Sequence, residues 1–427
     1  MRRLRDDRGG VIVLRGTSVG QDAKHTPNYA TRLTGDDFVR MRDDLGMNAI
    51  RLVVFWEALE PRRGLYDRCY LVRVRRQVRE LHGLGFHVVI DMHQDLFGAG
   101  FGFAGIPAWA APPAVYSKQP RHRRPWLLTY FEAPIMRAFD AFWSDEGLWD
   151  CYARAWGRLV RFLRGEPGVV LYELFNEPFW GTRTPGALER DVLPRFYARV
   201  IAAIRSEDAR TPVAVASAPY ANAGFQTELG AVHDPRLVYA PHVYPLHLDV
   251  LGRYDGDAVA IARHVQGNAA DAAKRNAALV VTEVGVLAGL PGAAQFMTDA
   301  YDAFDAAQAS ALHWEGSGVS GYGFWDRDRA WTPLAPALAR PFPARVAGEP
   351  IRWAWDAARG EFTLGWTEGA GIEGETVVAI PALAFPTPPT VELDGEYSFD
   401  GSRLRIPQRA EPARGGAPLG RTLRLRR

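Results

Sequence analysis

The stretch Val169-Val-Leu-Tyr-Glu-Leu-Phe-Asn-Glu-Pro178 (VVLYELFNEP) opens as an apolar run of buried-strand length and ends in an Asn-Glu-Pro turn. A second stretch of the same design, Leu279-Val-Val-Thr-Glu-Val-Gly285, leads from apolar residues into Thr282 and Glu283. Outward from these two, short apolar runs alternate with longer amphipathic segments through roughly the first 330 residues. Strands are expected at Val11–Leu14, Ala49–Val54, His87–Asp91, Val169–Leu174, Val213–Ala216, Leu237–Ala240, Leu279–Thr282 and Gly321–Phe324. Helices are expected at Asp36–Leu45, Tyr70–Leu81, Leu148–Leu163, Val192–Ile204 and Gly292–Ala307, where apolar residues recur three and four apart. Eight strands, each followed by a helix or long loop, point to an α/β chain closed as a (β/α)8 TIM barrel. An open doubly wound sheet would want a glycine-rich turn after its first strand, and none is present.

Near Arg340 to Pro350 the chain becomes proline-punctuated, and short strands are expected at Ile351–Trp355, Glu361–Trp366, Thr376–Ile380, Thr390–Leu393 and Thr422–Leu425. Residues 1–342 therefore read as the barrel and 343–427 as a C-terminal β-sandwich. The Gly- and Pro-rich stretch from Gly98 to Pro125 reads as a long functional loop after the third strand.

The composition excludes several classes of function. Of 51 basic residues only Lys24, Lys118 and Lys274 are lysine, and with 49 acidic residues the net charge is +2. An arginine excess spread over the chain at near-neutral balance reflects coding bias, so no nucleic-acid partner is expected. Cys69 and Cys151 are too few and too far apart for a disulfide framework or a zinc motif. No apolar run reaches membrane-spanning length, and the apolar stretch after the basic N-terminus is too short for a signal peptide. The expectation is a cytoplasmic enzyme; the Arg-rich end, Arg421 to Arg427, reads as a solvated tail or a contact with anionic lipid.

Active sites of such barrels lie at the C-terminal ends of the strands. There the fourth and seventh strands each deliver a carboxylate, Glu177 and Glu283, with Asn176 just before the first. Two carboxylates flanking one bond are what glycosidic cleavage requires. Arg51, early in the buried second strand, needs a buried anion and would find one in an ionised nucleophile. The third strand leads into Asp91-Met92-His93-Gln94-Asp95, the sixth into His242-Val243-Tyr244, and the eighth into Trp325. His93 and His242 lack a third ligand at zinc spacing, so hydrogen bonding around a sugar is preferred to a metal site, and no cofactor is expected.

Together, Arg51, His93, Asn176-Glu177-Pro178, His242-Val243-Tyr244, Glu283 and Trp325 resemble the pattern of glycoside hydrolase family 5. The nearer resemblance is to its endoglycoceramidase, glucosylceramidase and steryl-glucosidase branch. It rests on Asp91-Met92-His93-Gln94-Asp95, Phe142-Trp143, the run Val53 to Glu60, Gly105-Ile106-Pro107-Ala108-Trp109 and the C-terminal β-domain. The resemblance implies a retaining β-glycosidase with Glu177 as acid/base and Glu283 as nucleophile. It further implies that Asn176 meets the sugar 2-hydroxyl, that Tyr244 and Arg51 hold Glu283, and that Trp325 stacks under the sugar. Lys24, Asp95 and Trp143 would bind a further sugar, and His93 and His242 would hydrogen-bond around the site. The implied substrate is a glycolipid, with possible transient contact with a lipid surface. Aromatic residues after strands three and four, from Phe97 to Trp180, form either an apolar trough for the lipid or the loops' own small core. Lacking a signal peptide, the chain fits an exo-type lipid glucosidase better than a secreted oligosaccharide-releasing enzyme. The competing reading is an endo-β-glycanase of cellulase or mannanase type, with an open cleft for polysaccharide.

Overall fold

The structure, a computed structural model, describes residues 2–123, 126–369, 371–409 and 420–427. Pro125, the expected end of the long loop, lies outside the described residues. Eight parallel strands form the barrel: β1 (Arg15–Val19), β2 (Ala49–Val54), β3 (His87–Met92), β4 (Val169–Glu173), β5 (Val213–Val215), β6 (Leu237–Tyr239), β7 (Ala278–Val284) and β8 (Ser310–His313). The ring closes because β8 pairs with both β7 and β1. A two-residue strand, His242–Val243, runs beside the end of β7 and sets His242 opposite Glu283. Helices such as Arg68–Gly83, Glu146–Leu163, Leu193–Arg205 and Ala293–Ala306 cover the outside with one apolar stripe each.

Two expected strands fall elsewhere. Val11 and Ile12 pair antiparallel with Val346 and Arg345 in the C-terminal domain, and β1 is the next segment, Arg-Gly-Thr-Ser-Val. That segment is polar in composition yet buried throughout, because Arg15 finds Asp305 at 2.7 Å inside the protein. The eighth strand is Ser310–His313 and not Gly321–Phe324. Its residues include no β-branched side chain, so the apolar-run criterion passes it over; pairing on both sides makes it a strand.

Side chains two apart on a strand share a face, and this stacks the barrel interior in layers. Ala49, Val89, Leu171, Val280 and Leu312 belong to one apolar cluster inside the ring. Two residues further on stand Arg51, Asp91, Glu173 and Thr282 on their strands and Trp314 just past the end of β8. The apolar floor is thus roofed by a charged layer, and the catalytic mouth lies above it.

The C-terminal domain has two antiparallel sheets. Val11–Ile12, Phe342–Val346, Thr376–Ala379, Arg403–Ile406 and Ser398–Phe399 form one; Gly348–Asp356, Glu361–Glu368, Gly420–Arg426 and Thr390–Leu393 form the other. Alternate residues of their strands, among them Trp353, Trp355, Phe362, Trp366, Leu404 and Leu423, bury a common core. Among the described residues no helix is long and apolar enough to cross a membrane.

Candidate active site

Arg51 is fully buried and meets three carboxylates with one guanidinium. Its Nε and Nη2 donate to the two oxygens of Glu173 at 2.6 and 3.0 Å, and its Nη1 donates to Glu283 Oε1 at 2.6 Å. Nη2 also lies 3.0 Å from Asp91 Oδ2 and donates to Asn176 Oδ1 at 2.9 Å. A buried carboxylate is stable as an anion only with such partners. Although burial works to raise it, Arg51 holds the Glu173 carboxyl below its usual range. Thr282 Oγ1 donates to the same carboxylate at 2.9 Å.

Glu283, at the end of β7, receives Tyr244 OH on Oε2 at 2.9 Å. Arg51 on one oxygen and Tyr244 on the other fix the plane of its carboxylate. Glu177 lies across the mouth and is partly exposed, with Asn222 Nδ2 and His242 Nδ1 2.8 and 2.9 Å from its Oε1. His242 Nδ1 is also 3.6 Å from Glu283 Oε2, so the imidazole stands between the two carboxylates. Burial opposes its charged form, but Glu283, Glu173 and Glu177 outweigh that and push its pKa up to about 10.

A second polar group lies beside this one. The Lys24 ammonium contacts Asp95 Oδ2 and is 3.1 Å from His93 Nε2, while His93 Nδ1 is 2.8 Å from Asp91. The Lys24 ammonium can only donate, so His93 Nε2 accepts from it when the ring carries its proton on Nδ1, toward Asp91. Lys24 also sits 4.8 Å from the ring centre of Trp314, and that indole stacks on His93 at 5.3 Å and 8°. Lys24 holds the Asp95 carboxyl well below the usual range, again against burial.

Glu177, Glu283, Arg51, Asn176, His242 and Tyr244 therefore come together as one group, and Lys24, His93 and Asp95 as its neighbour. Two tryptophans are placed differently from expectation. Trp143 is enclosed by Phe142, Phe175 and Phe196, and its indole N–H donates to Phe179 O at 2.7 Å, which makes it a core residue. Trp325 is buried too, stacked on Trp331 with its N–H on Gly316 O at 2.8 Å. Trp314, directly after β8, has the position expected for Trp325; the misplaced eighth strand led to the wrong indole. Asn222, Gln94, Asp91 and Glu173 also belong to the site without being nominated from the sequence. Asp91 and Glu173 had a signal, each lying two residues beyond an inward apolar residue on its strand. Asn222, on a loop after β5, had none.

The choice between trough and small core divides along the loops. Phe97, Phe101, Ile106 and Phe179 are buried, whereas Trp126, Leu128 and Phe131 are exposed. Further exposed apolar side chains are Phe225 and Leu287, on the loops after β5 and β7, and Leu246, Val250 and Leu251, on a short helix, Leu246–Leu251, after β6.

Among the described residues, Glu177, His242 and Glu283 form a group able to hold a metal, with donor atoms within 4.8 Å of one another. Metal ligands must be deprotonated and offer free lone pairs. Here His242 favours the protonated form, while Asn222 and Tyr244 already donate to the two carboxylates. The group fits a hydrogen-bonded acid and base better than a metal site.

Comparison with known proteins agrees with this geometry. Residues 8–318 match the family model "Cellulase (glycosyl hydrolase family 5)", and 340–414 match "Glycoside hydrolase family 5 C-terminal domain". Endoglycoceramidase I of Rhodococcus hoagii (strain 103S) is 27% identical over 429 residues, covering 94% of this chain and 83% of that one. Endo-glycoceramidase II from Rhodococcus sp., solved as a ganglioside GM3 complex, superposes with a TM-score of 0.90 at 29% identity, covering 100% of this chain and 99% of that one. The same enzyme solved as its lactosyl-enzyme intermediate gives a TM-score of 0.88 at 30% identity over the same shares of both chains. With a matching model over each of its two domains and two strand-end glutamates within reach of one bond, the chain belongs to glycoside hydrolase family 5.

Proposed function

We propose that this enzyme is a retaining β-glycosidase that releases the sugar headgroup of a glycolipid, with Glu283 as nucleophile and Glu177 as acid/base. The observation that carries the reading is the pair itself. One carboxylate oxygen of Glu177 and one of Glu283 lie within 4.8 Å of each other, which favours the roughly 5 Å spacing of retaining enzymes over the wider gap of inverting ones. In the first step Glu283 attacks the anomeric carbon as the bond to the aglycone oxygen breaks, and Glu177 gives that oxygen its proton. In the second, Glu177 takes a proton from water, which attacks the same carbon and frees Glu283. Arg51 and Tyr244 orient the nucleophile, and Asn176 would meet the sugar 2-hydroxyl with the N–H that its bond to Gln94 O leaves over. Lys24, Asp95, His93 and Trp314 offer charged donors, acceptors and an aromatic face for a second sugar.

That second polar group and the endoglycoceramidase relatives favour cleavage behind a headgroup of two or more sugars over removal of a single glucose. The lipid is assigned to the exposed apolar side chains on the rim, Trp126, Leu128, Phe131, Phe225 and Leu287 among them, which would also rest on a lipid surface during turnover. Hydrolysis by the purified protein of glucosylceramide, lactosylceramide, a longer glycosphingolipid and soluble β-glucan tests this. Lactosylceramide or the longer glycolipid should be cleaved to intact oligosaccharide and ceramide; preference for β-glucan would overturn the substrate class.

A further inference from the structure

Gln94 follows β3 by two residues, is 1% exposed, and is used by none of the steps above. Its amide nitrogen donates to two consecutive carbonyls, Asn176 O at 3.1 Å and Glu177 O at 3.0 Å. Its amide oxygen accepts Phe97 N–H at 3.0 Å, which fixes the orientation of the group. Its own backbone oxygen accepts from Asn176 Nδ2 at 3.1 Å, and Asn176 Oδ1 is turned to Arg51. Gly105 packs so closely behind it that a Cβ there would lie 2.5 Å from Gln94 Cα.

The backbone held this way is unusual. Glu177 has φ 44°, in the left-handed region that a side-chain-bearing residue rarely enters. Such a conformation is strained and persists where its surroundings enforce it. Two hydrogen bonds to the carbonyls on either side of that residue's N–H are such an enforcement, and they come from one rigid, buried amide.

We infer that Gln94 is a positioning residue for the acid/base: by clamping the Asn176 and Glu177 carbonyls it keeps Glu177 in the left-handed turn that aims its carboxyl across the mouth. The inference rests on the reading of Glu177 as acid/base. Positioning errors of an ångström cost about 100-fold in rate. Only steps that need the acid should suffer, since Gln94 touches neither Glu283 nor Arg51 among the bonds described.

The test compares Gln94→Met, Gln94→Glu and Glu177→Ala on two β-glycosides of the same sugar, one with a poor leaving group and one with dinitrophenolate, which departs without protonation. Gln94→Met removes all the amide's bonds at similar volume; Gln94→Glu keeps the acceptor for Phe97 N–H and loses the donor. Either variant is expected to lower kcat/KM on the poor leaving group by about 30- to 100-fold and to leave the dinitrophenyl glycoside within about threefold, as Glu177→Ala does more severely. Equal losses on both substrates, no loss on either, or failure of both variants to fold would overturn the positioning role. If Glu177→Ala itself shows no dependence on the leaving group, it is the acid/base assignment that fails, and the inference falls with it.

Discussion

Two arginines are buried at opposite ends of the barrel, and both are surrounded by acids. Arg15, at the start of β1, bonds Asp305, which also accepts from Arg340 at 3.0 Å and from the Trp353 indole of the C-terminal domain at 2.8 Å. Arg340 reaches Asp302 as well, so two cations face two anions, and the bonds run between barrel and sandwich. Arg51, at the other end, faces three carboxylates with the charged ring of His242 beside two of them, so two cations stand against three anions. A matched, closed cluster is a joint. An unmatched one holds surplus negative charge beside an opening, and the formation of a glycosyl ester on Glu283 would remove one of those charges while Arg51 still served Asp91 and Glu173.

The contrast can be broken most directly at the mouth. Glu283→Gln and Glu177→Gln are each expected to lower turnover of an unactivated β-glycoside by about 1,000-fold or more with the fold retained; near-normal rates in either would show that the upper cluster is not catalytic. At the joint the outcome should be reversed. Asp305→Ala strands Arg15 and leaves Arg340 with Asp302, so it is expected to cost about 3 kcal/mol in urea unfolding while kcat stays the same. A large loss of kcat with unchanged stability would erase the distinction between the two ends.

His242 sharpens the upper half through pH. Its pKa rises from 6.5 to about 10 on folding, so its contribution to stability is complete below about pH 6.5 and is lost as pH climbs through about 10. The stability gap between the parent and His242→Gln should therefore narrow from pH 6.5 to 10, as followed by denaturant midpoints; a constant gap would contradict a charged His242. The smallest effect is expected at Trp314. Removing its face in Trp314→Ala should raise KM about three- to tenfold, corresponding to about 0.5 to 1.5 kcal/mol of aromatic contact, with kcat little changed.

Much of the site was legible because a strand imposes a period of two and a barrel imposes an end. Glu177, Glu283 and Tyr244 follow or close recognisable apolar runs and Arg51 lies within one; the structure puts Arg51 and Tyr244 in hydrogen-bond contact with Glu283 and sets His242 between Glu283 and Glu177. Lys24 stood out as one of three lysines, and its ammonium meets Asp95 and His93. Trp143 was misjudged because an aromatic pair on a helix looks the same whether it faces a ligand or the core. The sequence points to Trp325, after Gly321–Phe324, and passes over Trp314 because Ser310–His313 lacks the residues that announce a strand. Asn222 and Gln94 act from loops, where no period relates a residue to its neighbours in space.

By itself, then, the sequence determined the alternation of strands and helices, the attached β-domain, the two glutamates and the arginine that one of them needs, since all of these follow from local periodicity and the cost of burying charge. Tertiary structure alone decided that Val11 and Ile12 join the C-terminal sheet, that Ser310–His313 closes the ring, which tryptophan faces His93, and which amides hold Glu177. Those outcomes depend on pairings between segments far apart in the chain, and their energies appear only when both partners are in place.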